Sequence, residues 1–159
     1  MCLLRKQATL AAIKIGIIGA GYWGKKVIRE VQAISREERI LSLRYVVDNS
    51  PTSLEQCANE FGTLDYRVDH QSLLSDPELS AVHICTPNSE HFEVASDFIN
   101  AGKNVLLEKP LTLKSTEAYQ LVQLARDNNV VLCVGHIHRF NNGIRELKRA
   151  LATGVLGTP

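Results

Sequence analysis

The 159-residue sequence predicts an α/β fold built on a doubly wound parallel sheet. Two observations carry that expectation. Short β-branched runs alternate with longer amphipathic stretches, the pattern of successive βαβ units. Most of those runs are continuously apolar, as strands covered on both faces are. Composition agrees, since 45% hydrophobic and 22% charged residues describe an ordinary globular domain rather than a disordered or membrane-spanning chain. A chain of this length buries roughly 68–70% of its unfolded surface and needs no disulfide staples.

The elements follow in order. A first strand is expected over 13–18 and a helix over 25–35, where Val27, Ile28, Val31 and Ile34 form one apolar stripe and Lys25, Lys26, Arg29 and Glu30 face water. A second strand, 43–47, runs into the turn Asp48-Asn49-Ser50-Pro51, and a weak third lies near 66–68. The fourth strand, 81–85, leads to a helix with Val94, Ala95, Phe98 and Ala101 on one face, stopped by Gly102. The fifth, 104–107, leads to a helix carrying Ala118, Leu121, Val122 and Ala125, which ends at Asp127-Asn128-Asn129. A sixth strand covers 130–134. Stripes turned toward one sheet place helices on both its faces. A last helix, about 141–152, carries Ile144, Leu147 and Leu151 on one side, before Gly154 and Gly157 lead to Pro159.

Charge and cysteine usage narrow the function classes. Lys and Arg number 18 against 17 Asp and Glu, with no basic stripe for a phosphate backbone, so no nucleic-acid partner is expected. No apolar run reaches the ~18 residues of a spanning helix, and Lys14 interrupts the apolar stretch after Arg5 and Lys6 too early for a secretory signal. Cys2, Cys57, Cys85 and Cys133 form no CxxC pair, which fits a reduced, cytoplasmic setting.

The sharpest motif is Gly19-Ala20-Gly21-Tyr22-Trp23-Gly24, placed between a strand and a helix as GxGxxG requires. Gly19 permits the turn, Gly21 leaves room for a pyrophosphate against bare backbone, and Gly24 lets helix and strand approach. Helix N–H groups then face the anion. Tyr22 and Trp23 join the cofactor-binding set by packing around this loop. Asp48 ends the second strand where a carboxylate accepts adenosine ribose hydroxyls, or else it caps its own turn; both roles are compatible. With neither Asn49 nor Ser50 positive, NAD is preferred over NADP.

Loops after the later strands are the place for chemistry. Thr86, Pro87 and Asn88 follow the fourth strand and serve as a helix cap, as a nicotinamide-ribose contact, or as both. His91 sits in the first turn of the following helix, near the same site. Glu108-Lys109-Pro110 puts a carboxylate and a lysine at the crevice mouth, where an ammonium can hydrogen-bond a substrate hydroxyl; an exposed lysine beside a turn proline is the alternative. His136, His138 and Arg139 close the sixth strand, but no third ligand of suitable spacing accompanies the histidines, so no metal is expected. For His70 and His83 the default is a solvent-facing or structural role.

GAGYWG, Asp48, CTPNSEH, Glu108-Lys109-Pro110 and VGHIHRFN occur in this order over almost the whole chain. Together they resemble the Gfo/Idh/MocA oxidoreductases, and within them members acting on nucleotide sugars such as UDP-N-acetylglucosamine 3-dehydrogenases. The resemblance implies a Rossmann NAD(P)-binding domain over 13–140 after an N-terminal extension, 1–12. It implies that 141–159 is a helix and connection toward a second α/β substrate domain absent from this chain. It further implies oxidation or reduction of a hydroxyl on a sugar, sugar nucleotide or inositol, with a homo-oligomer in the full-length protein. By motif, Gly19, Gly21 and Gly24 hold the pyrophosphate, Asp48 the ribose, and Thr86, Pro87 and Asn88 the nicotinamide side. Lys109 is the catalytic lysine, Glu108 places the nicotinamide end, and the Lys109–Pro110 peptide is cis. Asn142, where those relatives commonly have proline, weakens any carry-over to His136 and Arg139. Two other readings stay open: a non-catalytic dinucleotide sensor, and a sugar oxidoreductase with tightly held NADP.

Overall fold

The computed structural model describes residues 12–157; the expected extension 1–12 lies outside them except for its last residue. Six strands make one parallel sheet: β1 (Ile13–Ile18), β2 (Leu41–Val47), β3 (Asp65–Arg67), β4 (Ala81–Ile84), β5 (Asn104–Leu107) and β6 (Leu132–Val134). Their order across the sheet is β3-β2-β1-β4-β5-β6. The helices are α1 (Tyr22–Glu37), α2 (Pro51–Phe61), α3 (His91–Asn100), α4 (Ser115–Asp127) and α5 (Asn142–Ala152).

Side-chain alternation along the strands divides the interior into two layers. On one face Ile15 and Ile17 of β1 and Val46 of β2 pack with Ile28 and Val31 of α1 and with Leu54 and Cys57 of α2. On the other face Ile18, Val82, Ile84 and Val105 pack with Val94, Ala95, Phe98 and Ile99 of α3 and with Leu121 and Ala125 of α4. Both faces are therefore covered, as the apolar strands required. Phe98 is fully buried, a burial that contributes about 1.5–3 kcal/mol.

The structure adds one helix that the apolar pattern does not announce. α2 buries only Leu54 and Cys57, too few positions for a stripe. Its start is nevertheless written locally: Ser50 caps it by accepting the Ser53 N–H at 3.3 Å, and Pro51 opens the first turn. Boundaries shift elsewhere: β2 begins at Leu41, β6 only at Leu132, and α1 already at Tyr22. Val122 turns partly to solvent, leaving Leu121 and Ala125 as the buried contacts of α4. The apolar side of α5 is not buried among the described residues, with Ile144, Leu147 and Leu151 all exposed. No helix among the described residues is long and apolar enough to cross a membrane.

Candidate functional site

Strand register builds the site. Arg67, Val47, Ile18, Ile84, Leu107 and Val134 pair in one row across the sheet. The residues that follow them, Val68, Asp48, Gly19, Cys85, Glu108 and Gly135, therefore emerge along a single edge. The chain leaves β1 for β2 on one side and later returns to β4 on the other, so the loops part there and open a crevice. Two cavities occupy it, one of about 620 Å³ on the β2 side and one of about 970 Å³ on the β5 and β6 side. They adjoin at Cys85 and Thr86, which line both.

Each glycine of the loop meets a different constraint. Gly19 has φ +98°, and a Cβ there would lie 2.7 Å from the Cys85 carbonyl. A Cβ on Gly24 would lie 1.9 Å from Gly19 O. Around Gly21 there is nothing within 4 Å, and as the residue preceding α1 it supplies no side-chain cap. The amides of that first turn thus open onto free space, the arrangement in which a helix end receives an anion. Asp48 fastens the loop, with Oδ2 accepting the Ala20 N–H at 2.7 Å and Oδ1 accepting the Ser50 N–H at 2.9 Å. Each carboxylate oxygen keeps a second lone pair. Asp48 therefore caps its turn and still lines the smaller cavity.

The smaller cavity is acidic. Asp48, Asp69, Glu90 and Glu93 line it together with His70, and its lining contains no lysine or arginine. Arg44 is held elsewhere, with Nε 3.3 Å from Asp76 and Nη2 3.0 Å from Glu78. The larger cavity reverses the charge: Lys109, His136, His138 and Arg139 line it, with Glu108 as its carboxylate. The Lys109–Pro110 peptide is cis. Trp23 and Thr86 also face this space, and Trp23 Nε1 and Thr86 Oγ1 are buried without a hydrogen-bond partner. Buried polar atoms are seldom left unpaired, so these two fit a polar ligand in the larger cavity, Thr86 standing where it meets the smaller.

Behind the wall, His83 of β4 is buried and its Nε2 donates to Glu108 Oε1 at 3.1 Å. Burial pushes the His83 imidazole below its ordinary value, a shift that the Glu108 carboxylate opposes. The same burial, with Glu108 adding to it, pushes the Cys85 thiol up to about 12. Glu108 also packs against the residue that follows β6: a Cβ on Gly135 would lie 3.0 Å from its Oε1. His83, Cys85 and Glu108 place one ligand atom each within 4.8 Å of the others. Two of those atoms are already joined by the His83–Glu108 hydrogen bond, and the high thiol value disfavours the thiolate that a metal needs.

These contacts sort the residues expected from sequence. Gly19, Gly21, Asp48, Thr86 and Pro87 line the smaller cavity, and Trp23, Thr86, Asn88, Glu108 and Lys109 the larger. Gly24 serves the close approach of α1 to the loop. Tyr22 is 79% exposed, lines neither cavity, and has the Lys26 ammonium 4.4 Å from its ring centroid. His91 is fully buried and also lines neither cavity. Its Nδ1 is 2.8 Å from Pro110 O and its Nε2 3.1 Å from Thr86 O, so it braces two loops from behind. The His83–Glu108 pair was hidden from sequence because its members sit 25 residues apart.

The family model for oxidoreductases with an NAD-binding Rossmann fold, Gfo/Idh/MocA, matches residues 13–136. The chain belongs to this family. It is 33% identical over 146 residues to an uncharacterized oxidoreductase of Streptococcus pneumoniae, covering 91% of this chain and 38% of that protein. To the UDP-N-acetylglucosamine 3-dehydrogenase of Acidithiobacillus ferrooxidans it is 35% identical over 139 residues, 87% of this chain and 41% of the other. Among solved structures, scyllo-inositol dehydrogenase from Lactobacillus casei with bound NAD(H) and scyllo-inositol superposes with a TM-score of 0.81 at 26% identity. That match covers 92% of this chain and 42% of the dehydrogenase. The Gfo/Idh/MocA chain described here thus spans about two-fifths of the length of these relatives.

Proposed function

We propose that this chain is the cofactor-binding part of an NAD-dependent dehydrogenase that oxidises or reduces a hydroxyl carbon of a sugar or polyol. The observation that carries the reading is the junction at Cys85 and Thr86, where an acidic cavity beneath a bare glycine loop meets a cavity bearing Lys109. Family membership and neighbours such as the inositol and UDP-N-acetylglucosamine dehydrogenases support it. In this reading residues 13–140 form the dinucleotide domain and 141–159 lead to the remainder of the protein, in a cytoplasmic setting.

The nicotinamide, when bound, supplies the hydride acceptor or donor. The chain's own residues hold the reactants and move the proton. Gly21 and the first turn of α1 receive the diphosphate, and the remaining lone pairs of Asp48 accept ribose hydroxyls. Thr86 Oγ1 at the junction and Trp23 Nε1 beside the larger cavity would find hydrogen-bond partners on the ligand. Glu108, held by His83, orients the nicotinamide end, and Lys109 hydrogen-bonds the substrate hydroxyl and exchanges its proton. The preference for NAD rests on the four carboxylates of the smaller cavity, which repel a 2′-phosphate that no lysine or arginine there would neutralise.

Fluorescence titration of the chain with NADH and with NADPH tests this directly. NADH is expected to bind at least about tenfold tighter, the effect of one well-placed charge interaction, and Asp48→Ala to erase most of the difference. Tighter binding of NADPH, or no binding of either, overturns the proposal.

A further inference from the structure

The two halves of the crevice differ in charge more than a chain of net charge +1 requires. The β2 half carries four carboxylates and no lysine or arginine. The β5 and β6 half carries Lys109 and Arg139 with two histidines, and its one carboxylate, Glu108, is already engaged by His83. Among the described residues none of the side chains of Lys109, His136, His138 and Arg139 has an acidic partner or a hydrogen bond. Elsewhere Lys14, Arg29, Arg44, Arg67, Lys114 and Arg149 are paired with carboxylates, while Arg39, Arg126 and Lys148 stand singly at separate places in the chain. What sets this wall apart is its composition, a lysine, an arginine and two histidines around one cavity whose single carboxylate is already engaged.

The diphosphate of a dinucleotide does not account for them, because its cradle at Gly19 and Gly21 lines the other cavity. One lysine is enough for proton exchange with a hydroxyl. Arg139 then has no task in hydride transfer. It sits in the short 3-10 helix Ile137–Phe140 and lines the larger cavity, where a planar, permanently charged fork suits a carboxylate or phosphate.

We infer that the larger cavity takes a substrate carrying an anionic substituent, and that Arg139, with His138 beside it on the same turn, is the group that selects for it. The inference rests on the dehydrogenase reading above and goes further by naming the charge class of the substrate. Lys109 addresses the hydroxyl that reacts, while Arg139 addresses the charged end. A cavity of about 970 Å³ has room for a monosaccharide with such a group.

Calorimetric titration of the NAD⁺-saturated chain with glucose, glucuronate and glucose 1-phosphate tests the inference. At least one of the two anionic ligands is expected to bind about tenfold or more tightly than glucose, the effect of one charge-assisted hydrogen bond, and high salt should shrink the advantage. Arg139→Gln should abolish most of the discrimination, and Arg139→Lys should keep part of it. Whichever of glucuronate and glucose 1-phosphate binds better tells a carboxylate site from a phosphate site. Equal binding of all three ligands, no binding of the anions, or unchanged discrimination in Arg139→Gln overturns the inference. NAD⁺ affinity, measured first on the same samples, separates the outcomes: loss of cofactor binding removes the dehydrogenase reading as well, whereas intact cofactor binding without discrimination removes only this one.

Discussion

Asp48 and Ala20 tie the end of β2 to the turn after β1, through a hydrogen bond of 2.7 Å from the Ala20 N–H to Asp48 Oδ2. Ala20 is fully buried, so its amide has no water to turn to if the carboxylate is removed. Asp48→Ala should therefore lower the urea-unfolding free energy by about 1–3 kcal/mol, the cost of a buried donor left unpaired, quite apart from its effect on ligands. An unchanged unfolding midpoint would mean that the loop stands without this tie.

Gly21 and Gly24 lie three residues apart yet should respond to alanine in opposite ways. A Cβ at Gly24 meets backbone, Gly19 O at 1.9 Å, and neither the strand turn nor the helix can yield cheaply. Gly24→Ala should destabilise the fold by about 1–3 kcal/mol or more. Gly21 has φ −70° and open space around it, so Gly21→Ala should melt like the unmodified chain while losing dinucleotide affinity. Thermal melts paired with NADH titration separate the two, and a Gly21→Ala variant that binds NADH normally would contradict the placement of the diphosphate.

What was legible in the sequence follows from the range of the forces involved. β1 and β5 were readable to the residue because their isoleucines, or Val105 and the two leucines, stop at Gly19 and at Glu108-Lys109-Pro110, and α3 because Val94, Ala95 and Phe98 form a true stripe. α2 escaped because it is stabilised by a cap and two buried side chains rather than by periodicity. The line of Asp48, Gly19, Cys85 and Glu108 along one edge was foreseeable, since parallel strands expose their carboxyl ends together. Which side chains then turn inward was not. His91 and His83 look alike in sequence as lone histidines, and only packing gives one to two loop carbonyls and the other to Glu108.

That buried His83 should leave a mark on acid stability. Its ordinary value is 6.5, and burial holds the folded group below it despite Glu108. As pH falls the unfolded chain takes up this proton before the folded chain does, so the contribution of His83 is constant at higher pH and is lost as pH falls below 6.5. The stability of the unmodified protein relative to His83→Gln should decline from neutral pH toward about pH 5, measured by urea unfolding at each pH. A relative gain on acidification would show instead that attraction to Glu108 outweighs desolvation.

Cysteine chemistry gives a test that needs no ligand. Cys57 and Cys133 differ in burial, the first fully enclosed between α2 and the sheet and the second exposed on the edge strand β6. Cys85 is only partly covered by area, yet its thiol is pushed up to about 12 by burial and by the nearby Glu108. At pH 8 such a thiol stays protonated, so limited exposure and low reactivity act together. Among the cysteines of the described residues, iodoacetamide should modify Cys133 first, with Cys85 and Cys57 protected until urea unfolds the chain, as read by peptide mass spectrometry at each site. Labelling of Cys85 as fast as Cys133 would mean that its thiol is not buried beside Glu108, and the packing of β4 against β5 at the site would have to be redrawn.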